Sequence, residues 1–193
     1  MTQYVALLRG INVGGNNLIK MAELARCFEK QGFSGVTTYI QSGNVLFEAG
    51  AASPSKLARG LEAAILKTFD CKAAVALRSK KELKSIVTGA PKGFGKQPEK
   101  YRYDVIFLFE PLAAKEALKD MPIREGVDQA FAGNGVLYAS RLIAKATKSK
   151  ISKIASMPMY KQMTIRNWNT TTKLLSLMEA VVPLARDRQL RKG

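Results

Sequence analysis

The chain has 193 residues, 47% of them hydrophobic, and carries 31 lysines and arginines against 15 acidic residues, a formal charge of +16 at pH 7. That length suits one or two domains, and that apolar share belongs to a folded chain rather than a disordered one. Histidine is absent, which excludes Ser-His-Asp and Cys-His nucleophiles and histidine-ligated zinc, and leaves Asp, Glu, Lys, Tyr and Cys for any acid–base chemistry.

Tyr4–Arg9 is short, apolar and bounded by Gly10, which predicts a strand. Asn12 to Asn17 (NVGGNN) is a loop by composition. Met21, Leu24, Ala25 and Phe28 then recur with helical spacing. Gly32 fits the position just past that helix, so that Phe33 can fold back on Phe28. Val36–Gln41 and Asn44–Glu48 read as two strands joined tightly at Ser42-Gly43. Ser53-Pro54 opens a second helix, with Ser53 as N-cap and Leu57, Leu61, Ala64 and Ile65 as its buried stripe. Ala73–Arg78 is a fourth strand, and Ser79 to Glu82 spells a capping box for a linking helix through Val87.

After the Gly- and Pro-rich stretch 89–98 the order recurs. Tyr103–Phe109 reads as a strand and Pro111 to Asp120 as a helix. Val127–Phe131 and Val136–Ser140 read as a hairpin about Asn134-Gly135. A helix is predicted near Ser149–Met157, then a short extended piece, Thr164–Asn167. "NVLFEA" (44–49) matches "GVLYAS" (135–140), which suggests an internal repeat. A last helix carries Leu174, Leu177, Met178 and Val181 on one face, with Pro183 after it. The expected fold is α+β: two ferredoxin-like β-α-β-β-α-β units, a duplication, with a linking helix and a C-terminal helix. Residues 1–79 form the first unit, 80–100 the linking helix and linker, and 101–193 the second unit with its C-terminal helix.

Three segments, "LLRGINVGG" (7–15), "YIQSGNVLF" (39–47) and "IRNWNTTTKL" (165–174), resemble the domain of unknown function 1697 family, common in bacteria. They occupy the start, the first hairpin and the C-terminal region in that family's order. The resemblance implies an α+β fold of two ferredoxin-like units, in agreement with the element order. It implies no reaction and supplies no catalytic residues, so whether the protein is an enzyme stays open.

Topology picks the first candidate site. In a sheet ordered 4-1-3-2 the end of the first strand lies beside the hairpin between strands two and three. Arg9, Asn12, Gly14, Gly15 and Asn16 are therefore expected near Gln41, Ser42 and Asn44. Glycines admit close backbone approach, and amides with a guanidinium can hold carboxylate or phosphate. The structural alternative is a polar loop folded onto a hairpin. The spacing of Gly10, Gly14 and Gly15 matches no dinucleotide fingerprint, and Lys20 completes no P-loop. The second candidate is Arg166, Trp168, Asn169 and Thr170. Asn169 or Thr170 can cap the last helix, whose free N–H groups favour an anion. Arg166 would be the counter-charge and Trp168 a stacking surface. The alternative is a capped helix with Trp168 packed and Arg166 bonded to backbone.

"SGNVLFE" (42–48) also raises the question of an RNA-reading strand, which needs aromatics on the open face of the first and third strands. Phe47 is the lone aromatic of the third strand; Phe107 or Phe109 with Tyr138 come closer in the second unit. A structural hairpin is the stronger reading. Cys27 and Cys71 are too few for a disulfide framework and read as inert thiols. No metal site or cofactor is expected. The absence of a long apolar run or a signal-peptide pattern predicts no membrane span and a cytoplasmic location. The first expectation for function is a small anionic ligand, phosphate- or nucleotide-like, at the end of the first sheet. The alternatives are non-specific nucleic-acid binding through the basic surface, and a protein-interaction module without ligand. Oligomeric state is not legible.

Overall fold

The structure is a computed structural model in which residues 1–12 and 17–180 are described. Two four-stranded antiparallel sheets form its centre. The first orders as β2-β3-β1-β4, from β1 (Thr2–Arg9), β2 (Ser34–Tyr39), β3 (Asn44–Ala49) and β4 (Ala74–Ser79). The second orders as β6-β7-β5-β8, from β5 (Tyr101–Leu108), β6 (Asp128–Ala132), β7 (Val136–Leu142) and β8 (Met163–Asn167). Helices α1 (Met21–Lys30) and α2 (Pro54–Phe69) cover the outer face of the first sheet. Helix α3 (Lys80–Thr88) links the halves, α4 (Ala114–Lys119) follows β5, and α5 (Trp168–Ala180) follows β8.

The pleat explains the three apolar layers. Along β1, Tyr4, Ala6 and Leu8 point to α1 and α2, while Val5 and Leu7 point the other way. The inward set meets Val105, Phe107, Val136 and Tyr138 of the second sheet. Leu83 and Ile86 of α3 and Leu174, Leu175 and Met178 of α5 complete that shared core. The linking helix is thus part of the interior rather than a free connector. The outer face of the second sheet packs on α4 and on the segment that follows β7.

Local chemistry sets most element ends as expected. The Ser53 hydroxyl accepts the Lys56 N–H with Pro54 in the first turn. The Ser79–Glu82 capping box is complete, with the Glu82 carboxylate 2.7 Å from the Ser79 N–H. Gly32 takes φ +83, and Phe33 returns to within 6.3 Å of Phe28, ring to ring.

Three expectations need correction. The first hairpin turns through Ile40 to Gly43, and Ile40 itself takes φ 48, so the turn is longer than the tight one predicted. The predicted helix at 149–157 is three short 3₁₀ segments instead, Ile143–Lys148, Ile151–Ser156 and Pro158–Gln162. Extended backbone at Ser149 and at Met157, the latter imposed by the proline at 158, keeps them from fusing. The repeat match is out by one residue. Leu7 pairs with Asn44 in the first sheet and Phe107 with Val136 in the second, so Asn44 corresponds to Val136, not Gly135. A one-residue slip moves every side chain to the other face. Hence Phe47 faces α1 and α2, whereas Tyr138 faces the shared core.

Candidate functional site

The end of β1 and the β2–β3 hairpin do adjoin. The Leu8 N–H donates to the Gly43 carbonyl at 2.8 Å. Asn12, at φ 51, donates from Nδ2 to the carbonyls of Gln41 (2.9 Å) and Ile19 (3.1 Å) and accepts the Ile19 N–H at 2.7 Å. Those bonds turn its amide into the fold. Asn44 is fully buried, and its Nδ2 donates to the Tyr39 carbonyl and the Ser42 hydroxyl, each at 3.0 Å. Its Oδ1 accepts from Arg166 Nε. Asn44 therefore faces the interior, not a ligand, and this corrects its expected place on an open patch. The side chains of Gln41 and Ser42 are exposed. Gly14, Gly15 and Asn16 lie outside the described residues.

Arg166 is corrected in the same way. It is 7% exposed and donates to the carbonyls of Leu8 (2.8 Å) and Ser42 (2.9 Å) across the junction between the sheets. Nη1 also reaches the Thr164 hydroxyl at 2.9 Å. Burial away from water pushes its guanidinium down to about 10. It stays charged at neutral pH, because protein oxygens replace the water it lost. It bonds inward, so it does not act as the counter-charge of an external anion.

Arg78 mirrors this arrangement. It stands opposite Val5 in the first sheet, as Arg166 stands opposite Val105 in the second. Its Nη2 donates to the carbonyls of Leu108 (3.0 Å) and Gly135 (2.9 Å), and its guanidinium lies 5.7 Å over the Phe107 ring. Desolvation lowers its pKa as well. Each half thus sends one arginine across the core to the strand end and hairpin of the other.

Arg9, on the inward side of β1, has its guanidinium 4.8 Å over the Tyr160 ring. Its Nε is buried without a hydrogen-bond partner. The aromatics considered for base reading are also interior: Phe107 is 0% and Tyr138 2% exposed, and the Tyr138 hydroxyl donates to the Ile86 carbonyl at 2.6 Å.

The open cavity lies elsewhere, at the start of α5. Strand β8 pairs with β5 only from Asp104 to Leu108, so Tyr101 to Tyr103 keep a strand edge with no β8 residue opposite. The chain has turned there into α5. Asn167 caps that helix, its Oδ1 accepting the Asn169 N–H at 2.9 Å. The cap is therefore not Asn169 or Thr170, because the helix begins one residue earlier, at Trp168. Trp168 is half-buried, edge-on to Phe94 with ring centroids 5.2 Å apart. Gly95, at φ +79, lies directly against its indole.

A cavity of about 380 Å³ opens there. Trp168, Asn167 and Asn169 line it, with Tyr101, Tyr103, Arg102 and Arg141. Thr170 does not belong to this lining. Arg102 and Arg141 are direct partners in the β5–β7 register. Like charges placed opposite one another repel. Asp104 relieves Arg102, at 3.1 Å. Arg141 has no ion pair or side-chain hydrogen bond among the described residues. Asp128 stands opposite Arg141 in β6, yet its Oδ2 is taken by the N–H groups of Arg124 and Lys150. Its Oδ1 is buried and unpartnered.

Of the residues that line this cavity, the sequence singled out Trp168 and Asn169 and not Tyr101, Arg102, Tyr103 or Arg141. The available signal was the alternation Tyr-Arg-Tyr-Asp at 101–104, aromatic and basic residues at a strand start. Among the described residues no three His, Cys, Asp or Glu side chains group to hold a metal, and no helix is long and apolar enough to cross a membrane.

A family model described as "Protein of unknown function (DUF1697)" matches residues 1–138. Among solved structures, the chain is similar to the conserved bacterial protein SP0830 from Streptococcus pneumoniae, at 25% identity and a TM-score of 0.77. The alignment covers 92% of this chain and 98% of that one. No curated protein sequence matches.

Proposed function

Because the chain belongs to the family of unknown function DUF1697, its chemistry has to be read from its own side chains, and we propose that it binds a small planar anion of the nucleotide class in the cavity beside Trp168. One observation carries this reading: Arg102 and Arg141 oppose each other in register on an aromatic-lined cavity, and the second makes no ion pair or side-chain hydrogen bond among the described residues. A phosphate near Arg141 would turn a repulsive pair into a bridged one and could accept two parallel hydrogen bonds. Trp168 and Tyr101 supply faces on which a ring system stacks. The Asn169 amide supplies a donor and an acceptor for its edge. The volume, about 380 Å³, falls within the range of small-molecule sites. The reading assigns binding and no reaction.

A thermal-shift screen of nucleoside mono- and diphosphates tests it. A ligand at 100 times its Kd adds about 2.7 kcal/mol. Arg141→Gln should remove most of that shift and leave the unliganded protein folded. A shift that survives Arg141→Gln unchanged would reject the cavity. The charge of +16 favours a second reading, non-specific nucleic-acid binding through the basic surface. It predicts affinity that falls steeply with salt whatever the sequence.

We infer further that the two sheets derive from one duplicated ferredoxin-like unit, spanning 1–79 and 101–193 about the linking segment 80–100. The shared strand order and the reciprocal roles of Arg78 and Arg166 support this. A cytoplasmic location is part of the same proposal, and fractionation would test it.

A further inference from the structure

The cavity beside Trp168 has a neighbour. A second hollow of about 180 Å³ adjoins it, and Tyr101 and Tyr103 line both. Phe131, 41% exposed, and Phe94 give the second hollow aromatic surface, and Gln129 and Gln97 give it amides. Gln129 and Phe131 come from β6, an edge strand, and share one face of the sheet. The Lys100 ammonium lies 5.4 Å over the ring of Tyr101, which lines both hollows.

We infer that the two hollows form one cleft for a single-stranded nucleic-acid segment of at least two nucleotides. The inference rests on the nucleotide reading of the first cavity and extends it. The chemistry comes in two matching parts. Every base has a π-face, so an aromatic wall in each hollow can stack one base. The second hollow is below the size of a small-molecule site, which suits a base but not a whole nucleotide. Its amides can pair with a base edge, as Asn and Gln do elsewhere. Lys100, over the Tyr101 ring, supplies a cation where the linking phosphodiester would cross. Paired bases stacked in a duplex cannot enter two separate hollows, so the occupant is single-stranded.

The test compares adenosine monophosphate with the 5′-phosphorylated adenine dinucleotide and a short duplex, by calorimetry on the full chain at fixed salt. The dinucleotide should bind about ten-fold or more tightly than the monophosphate, the gain expected for one stacked base. Phe131→Ala should cancel that gain and leave the monophosphate affinity unchanged. Phe131 is exposed enough for this variant to fold. Equal affinities for the two ligands, or a gain that survives Phe131→Ala, would overturn the two-part cleft while the monophosphate site stands. Duplex binding as tight as the dinucleotide would also overturn it. Failure of the monophosphate itself to bind would instead reject the nucleotide reading beneath it.

Discussion

Removing Arg166 should uncouple the two sheets. Arg166→Leu deletes the donors to the Leu8, Ser42 and Gly43 carbonyls and to Asn44 Oδ1. Gly43 keeps the Leu8 N–H, so its carbonyl stays satisfied. Asn44 Oδ1 and the Leu8 carbonyl are buried and lose the arginine, and a buried acceptor left unsatisfied costs about 1–3 kcal/mol, whereas the carbonyl of exposed Ser42 can turn to water. Two such losses, partly offset because a charge without a counter-ion no longer has to be buried, give a net cost of about 3 kcal/mol. In urea, with a slope of about 2 kcal/mol per molar, the unfolding midpoint should fall by about 1.5 M. Arg166→Lys should lose roughly half as much, since one ammonium cannot span acceptors spread across a guanidinium. Asn44→Ala should cost about 1–2 kcal/mol and combine sub-additively with Arg166→Leu, because the two share a bond. A loss below about 1 kcal/mol for Arg166→Leu, or full additivity with Asn44→Ala, would refute the clamp.

Gly95→Ala should destabilise by about 2 kcal/mol or more, since its Cβ would overlap the Trp168 indole at a positive φ; an unchanged thermal melt would contradict that contact. Both cysteines are buried, so Ellman's reagent at pH 8 should find no reactive thiol in the native chain and two after unfolding. Burial pushes the Cys71 thiol up from its ordinary 9.0, so the unfolded chain ionises first; stability should fall as pH rises past 9.0, and a Cys71→Ala variant should fall less. Arg9→Ala should leave a nucleotide-induced thermal shift intact, because Arg9 does not line the Trp168 cavity; loss of the shift would return the site to the end of the first sheet.

Much of the fold was legible because it is written locally. Ser53-Pro54 and Ser79 to Glu82 carry capping chemistry that acts within one turn. The pairing of the first loop with the hairpin was legible from topology, and Asn12 bonds the Gln41 carbonyl as that adjacency requires. What the sequence hid depends on contacts far apart in the chain. Asn44 and Arg166 look like ligand-binding groups until 122 residues of separation close into one buried bond. The cavity needs β8 to end before β5 does, a register fact with no local signal. The 3₁₀ segments were missed because their apolar positions, Ile151 and Ile154, also fit a helix.

Trp168 is the chain's one tryptophan and lines the cavity, so its fluorescence reports on the proposed site alone. Titration with adenosine monophosphate at constant ionic strength should quench or shift that emission saturably in the parent. The change should be weakened strongly in Arg141→Gln and be unaffected in Arg9→Ala. An emission spectrum that stays fixed to millimolar ligand, while a nucleotide still binds by calorimetry, would contradict the assignment of the site.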